Sequence, residues 1–337
     1  MTKESAGNTE ILFANPNPGD YGAIDRWSIP RSVPGAGSYG VTQSLVDAFF
    51  MENGLSPILG YENNDYSKPI INPASGYTET GFSTEPEVRN TGWQECQGNV
   101  NPGQVTMAGA YNMYCHREAR FYIAVLYNRA WFSKTAEGGR QTMFLKGEQD
   151  GGISMDAPRN GYLQNKLAHP DRDNVNVTFP YRPAVNYRLA EAYLNYAEAL
   201  NECDPGNPDI MKYVNLIRVR AGIPEYGTGA GMITEPQGQE EVRQSIYKER
   251  RVELCCESSI RYMDIRRLKI GEEILNRDFY GMNYFGSKLS DDKNDPDAYF
   301  VRTRYQTRSF QKKNYWFPVP QSEMDINPNL VQNPFWK

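Results

Sequence analysis

Between Tyr187 and Pro224 the sequence spells two amphipathic helices back to back. YRLAEAYLNYAEALNE places Leu189, Tyr193, Tyr196 and Leu200 at i, i+4, i+7 and i+11, with small alanines between them. That is the period of a broad apolar helix face. Asn207 is set to cap a second helix, with Pro208 at its first position and Asp209 beside it. Ile210, Tyr213, Val214, Ile217 and Ala221 keep the period, and Gly222 with Pro224 stops it. The pattern predicts an antiparallel helical hairpin of about 36 residues, close to the ~34 of a tetratricopeptide repeat. One such hairpin cannot bury both its faces, and repeats of this kind stack in arrays. The 187–222 hairpin is therefore expected to present an apolar face that another segment or a partner covers.

The remaining chain divides around this hairpin. Residues 1–180 are loop-rich and are read as the ligand-binding half, 187–275 as the helical half, and 276–337 as a loop-rich tail. Residues 14–40 and 60–104 are thick with Gly, Pro, Asn and Ser and dotted with rings, and loops this long tend to be functional. Between them Thr42 is placed to cap a short helix lined by Leu45, Val46, Phe49 and Phe50. RFYIAVLYNRAWF, residues 120–132, has the β-branched and aromatic content of a strand. A third helix is expected over about 239–257 and a fourth over about 263–275.

Several function classes fall away. Thirty-six Lys and Arg against 41 Asp and Glu leave a net charge of −5, with no basic excess to neutralise phosphates, so nucleic acid is not an expected partner. His116 and His169 are the two histidines, which excludes a His-rich metal site. The five cysteines, Cys96, Cys115, Cys203, Cys255 and Cys256, contain no CxxC pair and do not make a disulfide scaffold, although one bridge is compatible with them. No GxSxG elbow or HExxH motif is present, and GAGSYG at 35–40 lacks the lysine of a phosphate loop. No apolar run reaches eighteen residues, and MTKESAGNTE has no signal-peptide h-region.

Three constellations carry candidate chemistry. Glu249, Glu253 and Glu257 fall at i, i+4 and i+8, on one helix face. Two acids at a fixed distance are what glycosidic cleavage needs. The adjacent Arg261, Arg266 and Arg267 instead favour an ion-pair network stapling helices, because arginine lowers a carboxylate's pKa and spoils it as a general acid. Second, Trp27, Tyr39, Tyr61, Tyr66, Tyr77, Phe82 and Trp93 stud the irregular half, in a chain with 23 Tyr and 12% aromatic residues. A flat ring suits the polarised C–H face of a sugar, and Asn63, Asn64, Asp65, Arg89 and Gln94 are at hand to read hydroxyls. The plainer reading is that the rings anchor long loops to the core. Third, Asp291–Tyr299 and His169–Asn176 alternate oxygen side chains, but neither has the glycine that a calcium loop needs at its sixth position. No cofactor is expected, and calcium has weak support.

Six ordered segments carry a family resemblance. VNYRLAEAYLNYAEALNE, VNLIRVRAGIP, IYKERRVELCCESSIRYMDIRR and YWFPVPQSEMDINPNLVQNPFW resemble the C-terminal region of the SusD/RagB family. VTQSLVDAFFMENGL resembles that family's Thr-Gln…Asp-Ala-Phe…Gly segment. REARFYIAVLYNRAWF resembles its Arg-Phe-Tyr strand, although the usual Arg-Asp-Pro-Arg reads Arg117-Glu118-Ala119-Arg120 here. The resemblance implies a mostly α fold in its regular parts, with tetratricopeptide-like hairpins supporting long aromatic-rich loops and a few short strands. It implies a non-enzymatic lipoprotein on the outer face of the outer membrane of Bacteroidetes. Such a protein binds oligosaccharide, polysaccharide or another polymeric nutrient and serves a SusC-like TonB-dependent transporter during polysaccharide utilisation. Family members are longer, and their N-terminal part holds the signal, the lipid anchor and most of the helical repeats. The chain is therefore read as matching the C-terminal portion of that architecture.

No loop ring aligns to a family binding position. Trp27, Tyr39 and Trp93 are the ligand-binding candidates from loop context, with no catalytic residue and no metal ligand assigned. The rival readings are a glycoside hydrolase and a helical-repeat protein-interaction module. Exposed rings on the loop half favour a glycan binder, and rings on the hairpin favour a protein binder.

Overall fold

The computed structural model describes residues 8–19, 22–33, 35–89, 103–132, 140–152, 154–169, 173, 176, 178–257 and 259–336. In chain order, β1 (Ile11–Asn15) leads to α1 (Gly22–Ser28) and the short α2 (Gln43–Val46). Then come β2 (Ile58–Tyr61), β3 (Pro69–Ile71), β4 (Glu87–Val88), β5 (Gln104–Thr106), α3 (Ala119–Ala124), β6 (Val125–Tyr127), β7 (Trp131–Phe132), β8 (Arg140–Gln141) and β9 (Tyr162–Gln164). β10 (Ala184–Arg188) opens the helical half: α4 (Leu189–Cys203), α5 (Pro208–Ala221), α6 (Gly238–Glu253), α7 (Ile260–Arg267) and α8 (Gly271–Leu275). β11 (Asp278–Gly281), β12 (Thr303–Thr307) and α9 (Gln321–Ile326) complete the chain.

The regular structure is mostly helical. Among the described residues the strands form antiparallel two-stranded ribbons, β1–β10, β2–β3, β4–β5, β6–β9, β7–β8 and β11–β12, and no barrel. A lone ribbon is marginal in water, so these are held by the side chains beneath them. Phe49, Phe50, Met113, Tyr114, Phe121, Tyr127, Phe144, Tyr162 and Tyr299 make the main core under the loop-rich half. Its rings interlock: Phe49 meets Phe121 edge-on at 5.6 Å, and Tyr111 stacks on Phe300 at 4.4 Å.

A second core lies among α4, α5 and α6, formed by Ala190, Leu194, Ala197, Ile210, Val214, Ile217, Ile246 and Leu254. The hairpin forms as its signals require. The Asn207 side chain accepts from the Asp209 amide, Pro208 opens α5, and Gly222 closes it in the left-handed region at φ 75°. The buried stripe of α4 is, however, Ala190, Leu194, Ala197 and Asn201, one residue along from the expected set. The alanines let α5 and α6 approach closely, and the larger rings move to the flank. Tyr196, Leu216 and Val219 stay exposed on the hairpin.

Three local expectations change. Residues 120–132 do not form one strand: α3 occupies 119–124 and only 125–127 and 131–132 are extended. A helical turn sends Phe121 and Ala124 into the core and leaves Arg120 free to reach α6, so tertiary contacts override β propensity. The expected fourth helix is two. Lys269, at φ 56°, ends α7, and Gly271 starts α8 where a Cβ would sit 2.6 Å from the Phe310 ring. The third helix likewise stops at Glu253, and Cys256 and Ser259 turn the chain at φ 61° and 63°.

Candidate ligand-binding surface

Trp27 lies in the last turn of α1, and its carbonyl oxygen accepts from the amides of Ser38 and Tyr39 at 2.9 and 3.1 Å. The 36–40 loop is pinned from the other side as well. The Tyr39 carbonyl accepts from Gln164 of β9 at 2.7 Å, and the Ser38 hydroxyl donates to the Met155 carbonyl at 3.0 Å. Gly37 sits at φ 46°, where a Cβ would come within 2.5 Å of the Asp156 carbonyl oxygen, so the loop depends on glycine there. The result is that Trp27 and Tyr39 stack, ring centroids 6.2 Å apart and planes 28° from parallel. They remain 39% and 42% exposed, a two-ring platform on a backbone held at both ends. Trp93 and Gln94, the other candidates of that region, lie outside the described residues.

The other loop rings do different work. Tyr77 is buried, and Phe82 packs on Tyr111 and Phe300 of the core. Tyr61 donates to Asp47 at 2.7 Å and packs on Tyr66. These anchor loops. Exposed rings also occur away from the loop half: Tyr196 on the hairpin, and Trp316, Phe317 and Phe335 in the tail.

The three acids of the α6 region are tied up in ion pairs, but not with the arginines expected from sequence. Glu249 accepts from Arg120 at 2.6 Å and Arg218 at 3.2 Å. Glu253 accepts from Arg120 at 3.0 Å and Arg188 at 2.7 Å, and also pairs with Arg220. Glu257 takes two bonds of 2.8 Å from Arg188 and one of 2.6 Å from Lys166. Burial pushes the Glu253 carboxyl up, but Arg188, Lys166, Arg120 and Arg220 outweigh it and hold it well below the ordinary range. A carboxylate so held is not a general acid. Arg266 instead lies over Tyr262 and Phe317, and Arg267 binds Glu198 and Asp264. Arg261 joins none of these pairs.

The acidic loop at 291–299 uses its oxygens internally. Asp291 accepts from the Gly81 amide at 2.7 Å, Asp292 from the Asn294 amide at 2.9 Å, and Asp295 from Lys288 at 2.8 Å. Much of the 169–176 loop lies outside the described residues. The fold gathers one group that sequence spacing does not show: Glu52, Glu87 and His116 have ligand-type atoms within 4.8 Å of one another. Arg89 binds both carboxylates, so the positive charge a metal would bring is already there. Cys115, Cys203, Cys255 and Cys256 are free thiols, and Cys96 lies outside the described residues. Among the described residues no helix is long and apolar enough to cross a membrane.

Comparison with known proteins places this geometry in context. The SusD family model matches residues 9–336. The SusD-like protein P2 of Formosa agariphila is 33% identical over 146 residues, 43% of this chain and 24% of that protein. The crystal structure of a SusD-like protein from Bacteroides fragilis superposes with a TM-score of 0.66 at 25% identity, covering 98% of this chain and 55% of its own. A second Bacteroides fragilis structure, described as a SusD-like carbohydrate binding protein, gives 0.60 at 20% identity over 92% and 51% of the two chains. The chain spans about half the length of these solved relatives.

Proposed function

This chain belongs to the SusD family, and we propose that it binds oligosaccharide or another polymeric nutrient at the cell surface and passes it to a SusC-like TonB-dependent transporter. The observation that carries this reading is the Trp27–Tyr39 platform, two stacked and exposed rings on a loop clamped by backbone hydrogen bonds. A ring face accepts the C–H groups of a pyranose, and a clamped loop loses little entropy on binding. In this reading Trp27, Tyr39 and Trp93 contribute to the ligand surface. In this reading the protein works on the outer leaflet of the outer membrane, held there by a lipid anchor.

The function proposed is binding without catalysis. A hydrolase needs two carboxylates at a set separation, one of them able to carry a proton near neutral pH, and Glu253 of α6 is held ionised by the arginines and lysine around it. The second reading, a protein-interaction surface, is favoured by Tyr196, Leu216 and Val219 on the hairpin and is compatible with transporter docking.

The test is incubation of the chain with plant, host and microbial polysaccharides, reading retention in affinity gels and release of reducing ends together. Retention without release is expected. Release of sugar ends would replace binding with hydrolysis as the function.

A further inference from the structure

Cys255 and Cys256 are chain neighbours in the turn between α6 and α7, and both are free thiols. Cys255 is buried, whereas Cys256 is half-buried and sits in the left-handed region at φ 61°. That conformation is uncommon for a residue with a side chain and marks a constrained turn. The turn is also clasped by two cations. Lys166, just beyond β9, puts its ammonium 3.9 Å from the Cys255 sulfur and 2.6 Å from a Glu257 oxygen, and donates to the Glu253 carbonyl. Arg188 donates to the same carbonyl at 2.8 Å and also binds Glu257. A hydrogen bond from the Cys256 thiol lowers the pKa of Cys255, burial opposes it, and the Lys166 charge adds to the lowering.

We propose that Cys255 and Cys256 are a redox-modification site, which closes to a disulfide between neighbours and loosens the hold of Lys166 on the turn as it does so. The oxidant is a small-molecule disulfide. The half-buried Cys256 meets it first: its sulfur attacks, the S–S bond of the oxidant breaks, a mixed disulfide forms, and one thiol leaves with the Cys256 proton. The Cys255 thiolate then attacks the Cys256 sulfur, the second thiol leaves with the Cys255 proton, and the ring closes. The two cysteines lose two electrons and the oxidant gains them. Adjacent α-carbons stand about 3.8 Å apart, below the ~4.4–6.8 Å usual for a disulfide. The ring is therefore strained and readily reduced, which suits a switch and not a staple. It closes no long loop in the unfolded chain, so it gains little of the entropy by which other disulfides stabilise. Closing it draws the Cys255 sulfur from Lys166, so the oxidised protein is the less stable form. The site does not depend on the Trp27–Tyr39 platform.

The test is incubation of the folded chain with oxidised glutathione, then unfolding, alkylation of the remaining thiols, trypsin and mass spectrometry. VELCCESSIR, residues 252–261, lies between two tryptic sites and carries both cysteines. It is expected unalkylated and lighter by two hydrogens, and doubly alkylated when dithiothreitol follows the oxidant. Cys256→Ser should abolish the bridged peptide. Melting is compared with and without oxidation in the Cys203→Ser background, so that the exposed Cys203 adds no mixed disulfide. The oxidised chain should melt lower by a few degrees, and dithiothreitol should restore the higher Tm. A peptide that stays doubly alkylated after oxidant, one that carries glutathione without bridging, or a bridge to another cysteine would overturn the site. A bridged chain with unchanged or raised Tm would overturn its coupling to the Lys166 clasp.

Discussion

Arg188 lays both arms of its guanidinium against Glu257, through parallel bonds of 2.8 Å, where the strand β10 turns into the helix α4. The same side chain reaches Glu253 at 2.7 Å and Glu10 at 2.8 Å, and is 2% exposed. One residue thus fastens the first strand, the helical hairpin and the end of α6. Removing one partner of a buried pair strands the other charge, at about 3–5 kcal/mol. Arg188→Met should therefore lower stability by about that much, seen as a large fall in chemical-denaturation midpoint. A change below about 1 kcal/mol would show the network to be replaceable.

Acid should attack the same network. The folded pKa of Glu253 lies below its unfolded value because four cations outweigh the effect of burial. Its contribution is complete above the unfolded value of about 4.3 and is lost as pH falls through the folded value. Melting temperature should drop as pH is taken from about 5 to 3, and Glu253→Gln should start lower and show a shallower drop. Glu118, raised by burial, acts with the opposite sign, above the unfolded value rather than below it. A flat wild-type profile below pH 4.3 would contradict the assignment.

Trp27→Ala should weaken glycan retention by about tenfold or more, because an aromatic contact is worth about 0.5–1.5 kcal/mol beyond the area it covers. Far-UV circular dichroism should not change, since the ring is on the surface. Tyr39→Ala should act similarly. Full retention by the double variant would move the ligand surface elsewhere.

Gly37→Ala tests the loop rather than the rings. The added methyl meets the Asp156 carbonyl at 2.5 Å on a backbone at φ 46°, so a loss of about 1–3 kcal/mol is expected. Glycan retention should fall with it, because Tyr39 is displaced. Asn207→Ala, at the α5 cap, should cost about 1 kcal/mol and leave retention unchanged, which makes it the control for stability alone.

What the sequence reveals follows from the range of the interactions involved. The caps at Thr42 and Asn207 and the stop at Gly222 are local, and each forms where its residues place it. The rings at Trp27 and Tyr39 are readable as candidates, but their stacking depends on a carbonyl, a glycine and a strand far apart in the chain. The ionic partners of α6 are not readable: Arg120 meets Glu249 across 129 positions, whereas the neighbouring Arg266 and Arg267 turn to other groups. The strand-like text at 120–132 misleads for the same reason, since its first turn is shaped by α6 and not by its own composition.

The ribbon of β1 and β10 also sets an order of assembly. Glu10 and Arg188 stand 178 positions apart, while the helical hairpin joins near neighbours. Synthesised from its N-terminus, the chain releases β1 long before its partner strand exists. The exposed Leu12 and Phe13 must then wait without a pairing edge, open to chaperones and to other copies. Closing so long a loop costs chain entropy that the local hairpin does not, so the ribbon forms only after the segment between its strands has been made.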